Sequence, residues 1–179
     1  MENKKKLTLI IDPDPILHQK AGRIENITPE LNEIFDEMAE IMLKFQGIGL
    51  AGPQVGLSHQ IIIIDAETIA HEDGQIAPKE KFLKILNPEI IEVSKETCTR
   101  EEGCLSLPTI YYNVNRPEKI KVKFQNEIGE DIILETDGLL ARCLQHEIDH
   151  LNGKVFIDYV SSLKKHLAIS KLKKMKPKK

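Results

Sequence analysis

The chain has 179 residues, enough for one domain with its own core, and its 41% hydrophobic and 30% charged content excludes a disordered or fibrous chain. No apolar run reaches membrane-spanning length, and the run over residues 7–11 is too short for a signal peptide. Eight of the 25 basic residues are lysines within the last 16 positions, where no acid falls, so residues 1–163 hold 17 basic against 28 acidic side chains: an acidic body with a basic tail.

In chain order, residues 7–11 read as a short strand, broken by Asp12-Pro13-Asp14-Pro15. Thr28-Pro29-Glu30 starts a helix, with a capping hydroxyl, a proline in the first turn and an acid near the positive end of the dipole. Leu31, Ile34, Phe35, Met38, Ile41, Met42 and Phe45 keep one face apolar, and Gly47 ends it. Residues 47–56 hold four glycines and a proline, so they form a connector whose backbone can come close to a neighbour. No Lys-Ser/Thr follows, which excludes a phosphate loop. Residues 61–64, closed by Asp65, are a buried strand, and 66–81 read as an exposed loop. Strands are expected over 82–93, broken at Asn87-Pro88, and over 97–100, with Cys98 in the core. A hairpin over 119–125 and 131–136, turning at 126–129, leads into the next helix. Leu163, Leu167, Ile169 and Leu172 mark a last amphipathic helix, stopped by Pro177, within the basic 161–179 tail. Without Trp, the core is expected to be aliphatic.

Gln145-His146-Glu147-Ile148-Asp149-His150-Leu151 carries the chemistry. Asp137 is placed to cap its helix, Leu139, Leu140, Cys143, Leu144, Ile148 and Leu151 follow at helical spacing, and Gly153 sits where a helix ends. On such a helix His146 and His150 lie one turn apart on one face and can offer two imidazoles to one metal ion. Glu147, rotated to the side, can reach a metal-bound water without being a ligand. A third ligand must come from a spatial neighbour. Cys104, in Glu101-Glu102-Gly103-Cys104-Leu105-Ser106, is the candidate; Cys143, one turn before His146, is the rival, but a third ligand from the same helix seldom completes a tetrahedron. Three sparse cysteines argue against disulfides and for a reducing compartment.

Gly47-Ile48-Gly49-Leu50-Ala51-Gly52-Pro53-Gln54, Glu102-Gly103-Cys104-Leu105-Ser106 and the histidine stretch resemble, in order and spacing, the three signature motifs of bacterial peptide deformylase. The resemblance runs from the first strand to the last helix. It implies an α+β fold, with antiparallel sheets around a central metal-binding helix and a helix towards each end, in a single domain over 1–179. It implies removal of the N-formyl group from the initiator methionine of nascent peptides, with release of formate. The implied ligands are Cys104, His146 and His150, with water in the fourth position; Glu147 is general base and then acid, and Gln54 and the Leu105 N–H steady the oxyanion. The implied metal is ferrous iron in the cell, with zinc, nickel or cobalt in a purified sample. Gly52 stands where the family usually has alanine, which loosens the backbone two residues before Gln54.

The resemblance also places the methionine side chain in an apolar pocket beside the metal, and the helix can supply one. Leu139 and Cys143 continue the face of His146, and Ile48, Gly49 and Leu50 of the glycine-rich stretch, with Gly103, can close over it, leaving Arg142 at the rim with its charge in solvent. Arg116 is expected to orient Glu102 or Asp149. The tail is expected to meet an anionic partner such as the ribosome, in a monomeric cytoplasmic protein with no membrane contact. Two rivals stand beside this reading. A zinc endopeptidase would want a later acid or histidine as third ligand, and only Asp158 and His166 follow. A closed structural metal site in a nucleic-acid-binding module would have four protein ligands rather than an open position.

Overall fold

The computed structural model describes residues 6–76 and 78–175. It is an α+β fold with four helices and two antiparallel sheets. Helix α1 is Glu30–Lys44, followed by β1 Gly49–Ala51, β2 Ile61–Asp65, α2 Ala66–Glu72 and β3 Phe82–Val93. Strands β4 Thr97–Cys104, β5 Leu107–Pro117, β6 Ile120–Gln125 and β7 Asp131–Thr136 precede α3 Gly138–Leu151 and α4 Ser162–Met175. The larger sheet runs β1-β2-β3-β6-β7, while β4 and β5 pair only with each other.

Strand β2 explains the layering. Its four isoleucines are all buried because both faces of the sheet are covered. Ile62 and Ile64, with Ile85, Val122 and Phe124, pack under Leu144, Ile148 and Leu151 of α3. Ile61 and Ile63, with Leu50 and Leu86, pack under Phe35, Met38 and Met42 of α1. A third core joins Leu107, Ile110 and Val114 of β5 to Val155, Phe156 and Ile157 and to Ala168 and Leu172 of α4. Helix α3 is buried from Ala141 to Ile148, the nearly all-round burial its apolar pattern calls for.

Several local expectations change. Residues 7–11 are extended but not a strand; the Ile10 N–H bonds the Gln54 carbonyl (2.8 Å), the Asp12 N–H bonds that of Ser106 (2.9 Å), and no ladder forms. Thr28 gives α1 no hydroxyl cap; the helix starts at Glu30, and the Thr28 carbonyl takes the Leu31 N–H instead. Gln46, not Gly47, takes the left-handed position after α1 (φ 58°), and the Gly47 N–H closes the turn on the Met42 carbonyl. Residues 66–81 are not all loop: the Asp65 carboxylate ends β2 and caps α2 through the Thr68 N–H (3.0 Å). Asn87 bulges β3 without breaking it, its amide bridging Ile24 and Gln125. Strand β4 runs on to Cys104, and Cys98 is only half-buried. In α4, Leu163 and Leu167 are exposed, while Ala168 and Leu172 carry the packing. Pro177 lies outside the described residues.

Candidate active site

Helix α3 presents His146 and His150 one turn apart, their rings edge to face at 5.0 Å. Cys104 arrives from the other sheet. The register slips between Gly103 and Cys104, which re-aims the thiol at the end of β4, and its Sγ lies 3.2 Å from His150 Nε2. Ligand atoms of Cys104, His146 and His150 all fall within 4.8 Å of one another. Cys143 is not part of this group; it is buried, its thiol faces the Ile48 carbonyl, and burial keeps it protonated.

Burial pushes the His146 pKa down, but Cys104 and Glu102 beside it outweigh this and raise it well above its ordinary value. Burial holds His150 well below its own. One thiol and two imidazoles so close together are a donor set that fits a divalent metal. Phe156 stacks on the His146 ring at 6.1 Å and shields it.

Glu147 lies at the edge of this group. Its Oε2 is buried without a hydrogen-bond partner, and burial raises its carboxyl from 4.5 to about 7. A carboxyl so placed can give and take protons near neutral pH. The close approach expected of the glycine-rich stretch occurs at Gly49, where a Cβ would stand 2.5 Å from Glu147 Oε1 and 2.7 Å from Cys143 Sγ. Gln54 sits in a short 3-10 turn, Gly52–Val55. Its Oε1 takes the Ala51 N–H (2.8 Å), so its NH2 is turned towards Cys104 Sγ (3.4 Å) and Ser106 Oγ (3.3 Å). Gly52 does not loosen this turn. A Cβ there would meet the His59 carbonyl at 2.7 Å and Ile61 at 2.8 Å, so glycine is what lets the chain close this tightly.

Beneath the donors lies a buried ionic cluster. Glu102 accepts from Arg116 Nε (2.7 Å) and Nη2 (3.0 Å) and from Arg142 Nη1 (2.5 Å), and pairs with His146 Nδ1 (3.2 Å). Burial raises the Glu102 pKa, but the bonds from His146 and Arg116 prevail and bring it to about 2. Arg116 also reaches Asp149 (2.7 Å), so it orients both carboxylates that the sequence offered as alternatives. Arg142 is not at a solvent rim; it is buried, because Glu102 and the Cys98 and Val114 carbonyls take its guanidinium. Its position four residues before His146 was the signal for this, since i and i+4 share a face. Tyr159, which bonds Asp149 (2.8 Å) and lies under the Arg116 guanidinium (4.9 Å), left no mark in the sequence.

A cleft of about 530 Å3 opens over the donors. Ile48, Gly49, Leu139, Cys143 and Gly103 line it, as do Gln54, Leu105, His146 and Glu147. Leu50 does not. Successive residues of β1 face opposite ways, and the Leu50 side chain is buried against α1. The cleft also takes in Glu101, Phe45 and Tyr111, none of them expected. The Tyr111 ring covers Gly103, where a Cβ would meet it at 2.5 Å.

Known proteins converge on the same point. The family model for polypeptide deformylase matches residues 6–166. A peptide deformylase of Bartonella tribocorum is 43% identical over 93% of this chain and 91% of its own, and one of Agrobacterium fabrum is 44% identical over 93% and 94%. The crystal structure of peptide deformylase from Ehrlichia chaffeensis in complex with actinonin superposes with a TM-score of 0.87 at 36% identity, covering 96% of this chain and 98% of that one. The match over residues 6–166 spans the histidine helix, the β4–β5 hairpin and the glycine-rich strand, and the chain belongs to the polypeptide deformylase family.

Proposed function

We infer that this chain hydrolyses the formamide of N-formylmethionyl peptides, releasing formate and a free amine, at the cleft over Cys104, His146 and His150. One observation carries the mechanism: three metal-donor atoms within 4.8 Å of one another, with the buried, partner-free carboxylate oxygen of Glu147 lining the same cleft. A divalent metal held there supplies Lewis acidity, which makes water a usable nucleophile at neutral pH. Glu147 takes the proton of the attacking water and delivers it to the leaving amine, two transfers that suit a carboxyl raised to about 7. The Gln54 NH2, held by Ala51, and the Leu105 N–H donate to the oxygen on which charge builds. Glu102 fixes the ring of His146 through Nδ1.

Ile48, Leu139 and Cys143 form the apolar part of the cleft and take the methionine side chain. The metal is ferrous iron in the cell, and zinc, nickel or cobalt can replace it on purification, since thiolate and imidazole suit all of them. The chain works in the cytoplasm as a monomer, and its lysine-rich end holds it near the ribosome. The test is formate release by the anaerobically prepared, metal-loaded protein from formyl-Met-Ala and formyl-Ala-Ala. Loss of the methionine side chain forfeits about 1.5–3 kcal/mol of apolar burial, roughly a 10- to 150-fold drop in kcat/KM. No formate from either peptide ends the reading, and equal kcat/KM ends the pocket.

A further inference from the structure

One acidic or basic side chain that lines the cleft is exposed. Besides His146, the acidic and basic side chains there are Glu101, Glu102, Arg142 and Glu147. Glu102 and Arg142 are buried and bonded to each other, and Glu147 is buried at the donors. Glu101 is exposed, and no ion pair forms to it among the described residues. Its cross-strand neighbour on β5 is Asn113, which is uncharged. Residues two apart on a strand share a face, so Glu101 stands beside Gly103 and the Tyr111 ring that covers it. Across the cleft, Phe45 and Gln46 bring no charge to answer it. The body behind this rim is itself acidic, with 28 acids against 17 basic residues over 1–163.

We propose that Glu101 sets a charge preference for the residues that follow the methionine, favouring lysine and arginine there and disfavouring aspartate and glutamate. The proposal rests on the deformylase reading and names a substrate class within it. The apolar pocket of Ile48, Leu139 and Cys143 takes the first side chain, so the rest of the peptide leaves along the open rim, where Glu101 stands. A surface charge contact is made alike in the ground and transition states, so it belongs in KM and leaves kcat unmoved.

Steady-state deformylation of formyl-Met-Lys-Ala and formyl-Met-Ala-Lys, their glutamate counterparts and neutral formyl-Met-Ala-Ser tests this. Wild type is expected to favour lysine over glutamate by about two- to tenfold in kcat/KM at low salt, carried by KM and compressed at high salt. Glu101→Gln should level the preference and Glu101→Lys invert it, both leaving formyl-Met-Ala-Ser unchanged. Titration with the products Met-Lys-Ala and Met-Glu-Ala should show the same ordering in Kd without turnover. The same lysine-to-glutamate ratio in wild type and Glu101→Lys overturns the proposal while the deformylase reading stands. No turnover of the neutral peptide by wild type overturns both.

Discussion

Glu102 shows how much one side chain can hold. It neutralises Arg116 and Arg142 and orients His146 in the same buried space. Glu102→Gln keeps the shape and removes the charge, leaving Arg142 without a carboxylate and Arg116 with Asp149 alone. Breaking a buried pair in this way costs about 3–5 kcal/mol, and weakened support for His146 should lower metal affinity about 10- to 100-fold. Chemical denaturation and metal analysis of the dialysed variant check both. The wild-type carboxyl is lowered from 4.5 to about 2, so its contribution is complete above pH 4.5 and lost as pH falls towards 2; acid unfolding of the metal-free variant should lack that component. Glu147→Gln is a different case. Glu147 makes no bond that holds the donors together, so this variant should keep metal and lose turnover by roughly 10² or more. Near-normal formate release from the metal-loaded variant would remove Glu147 from the chemistry.

Among the elements, those read wrongly share a cause: their decisive partners lie far along the chain. Strand β5 escaped notice because its inward positions include Arg116 as well as Ile110 and Val114, and only the distant Glu102 and Asp149 make a buried arginine tolerable. Helix α2 is seven polar-looking residues, held by Asp65 and by burial of Ile69 and Ala70. Where the pattern was local, as along α3 or in the β6–β7 hairpin, it was legible, and so was the pairing of His146 with His150, since the helix itself imposes their spacing; that Cys104 comes to them from β4 is a long-range contact that no local pattern carries. Asp137 is a mixed case. It occupies the position before α3, yet its side chain caps nothing; Asp73, just past α2, supplies the carboxylate to the Leu139 N–H (2.9 Å). Asp73 thereby ties α2 to the end of α3 that lines the cleft through Leu139 and Cys143. Asp73→Ala should cost about 1 kcal/mol of stability and raise KM for formyl-Met peptides while the metal stays bound. Unchanged stability together with unchanged KM would show that the cap is idle.

At the scale of the whole molecule, charge and connectivity both bear on experiment. The α4 helix is docked, with Ala168 and Leu172 in the third core, Tyr112 Oη donating to the Lys164 carbonyl and Lys171 to that of Thr109. Cutting the chain after residue 160 would strip that core, so a truncated protein cannot isolate the role of the lysines. Changing lysines 173, 174, 176, 178 and 179 to glutamine removes charge from the tail while keeping Ala168, Leu172 and Lys171, which hold α4 in place. Ribosome co-sedimentation should then fall and lose its salt dependence while dipeptide turnover persists, and unchanged co-sedimentation would reject the tail as a tether. Among the described residues the two sheets share no strand-to-strand hydrogen bond, and the three side chains are divided between them: Cys104 from the β4–β5 hairpin, His146 and His150 from the helix packed on the larger sheet. A divalent ion held by all three would therefore be a rivet as well as a reagent. Chelation should loosen the joint between two plates, and amide exchange should quicken along β4 and the start of β5 while β2 and β3 stay as slow as before.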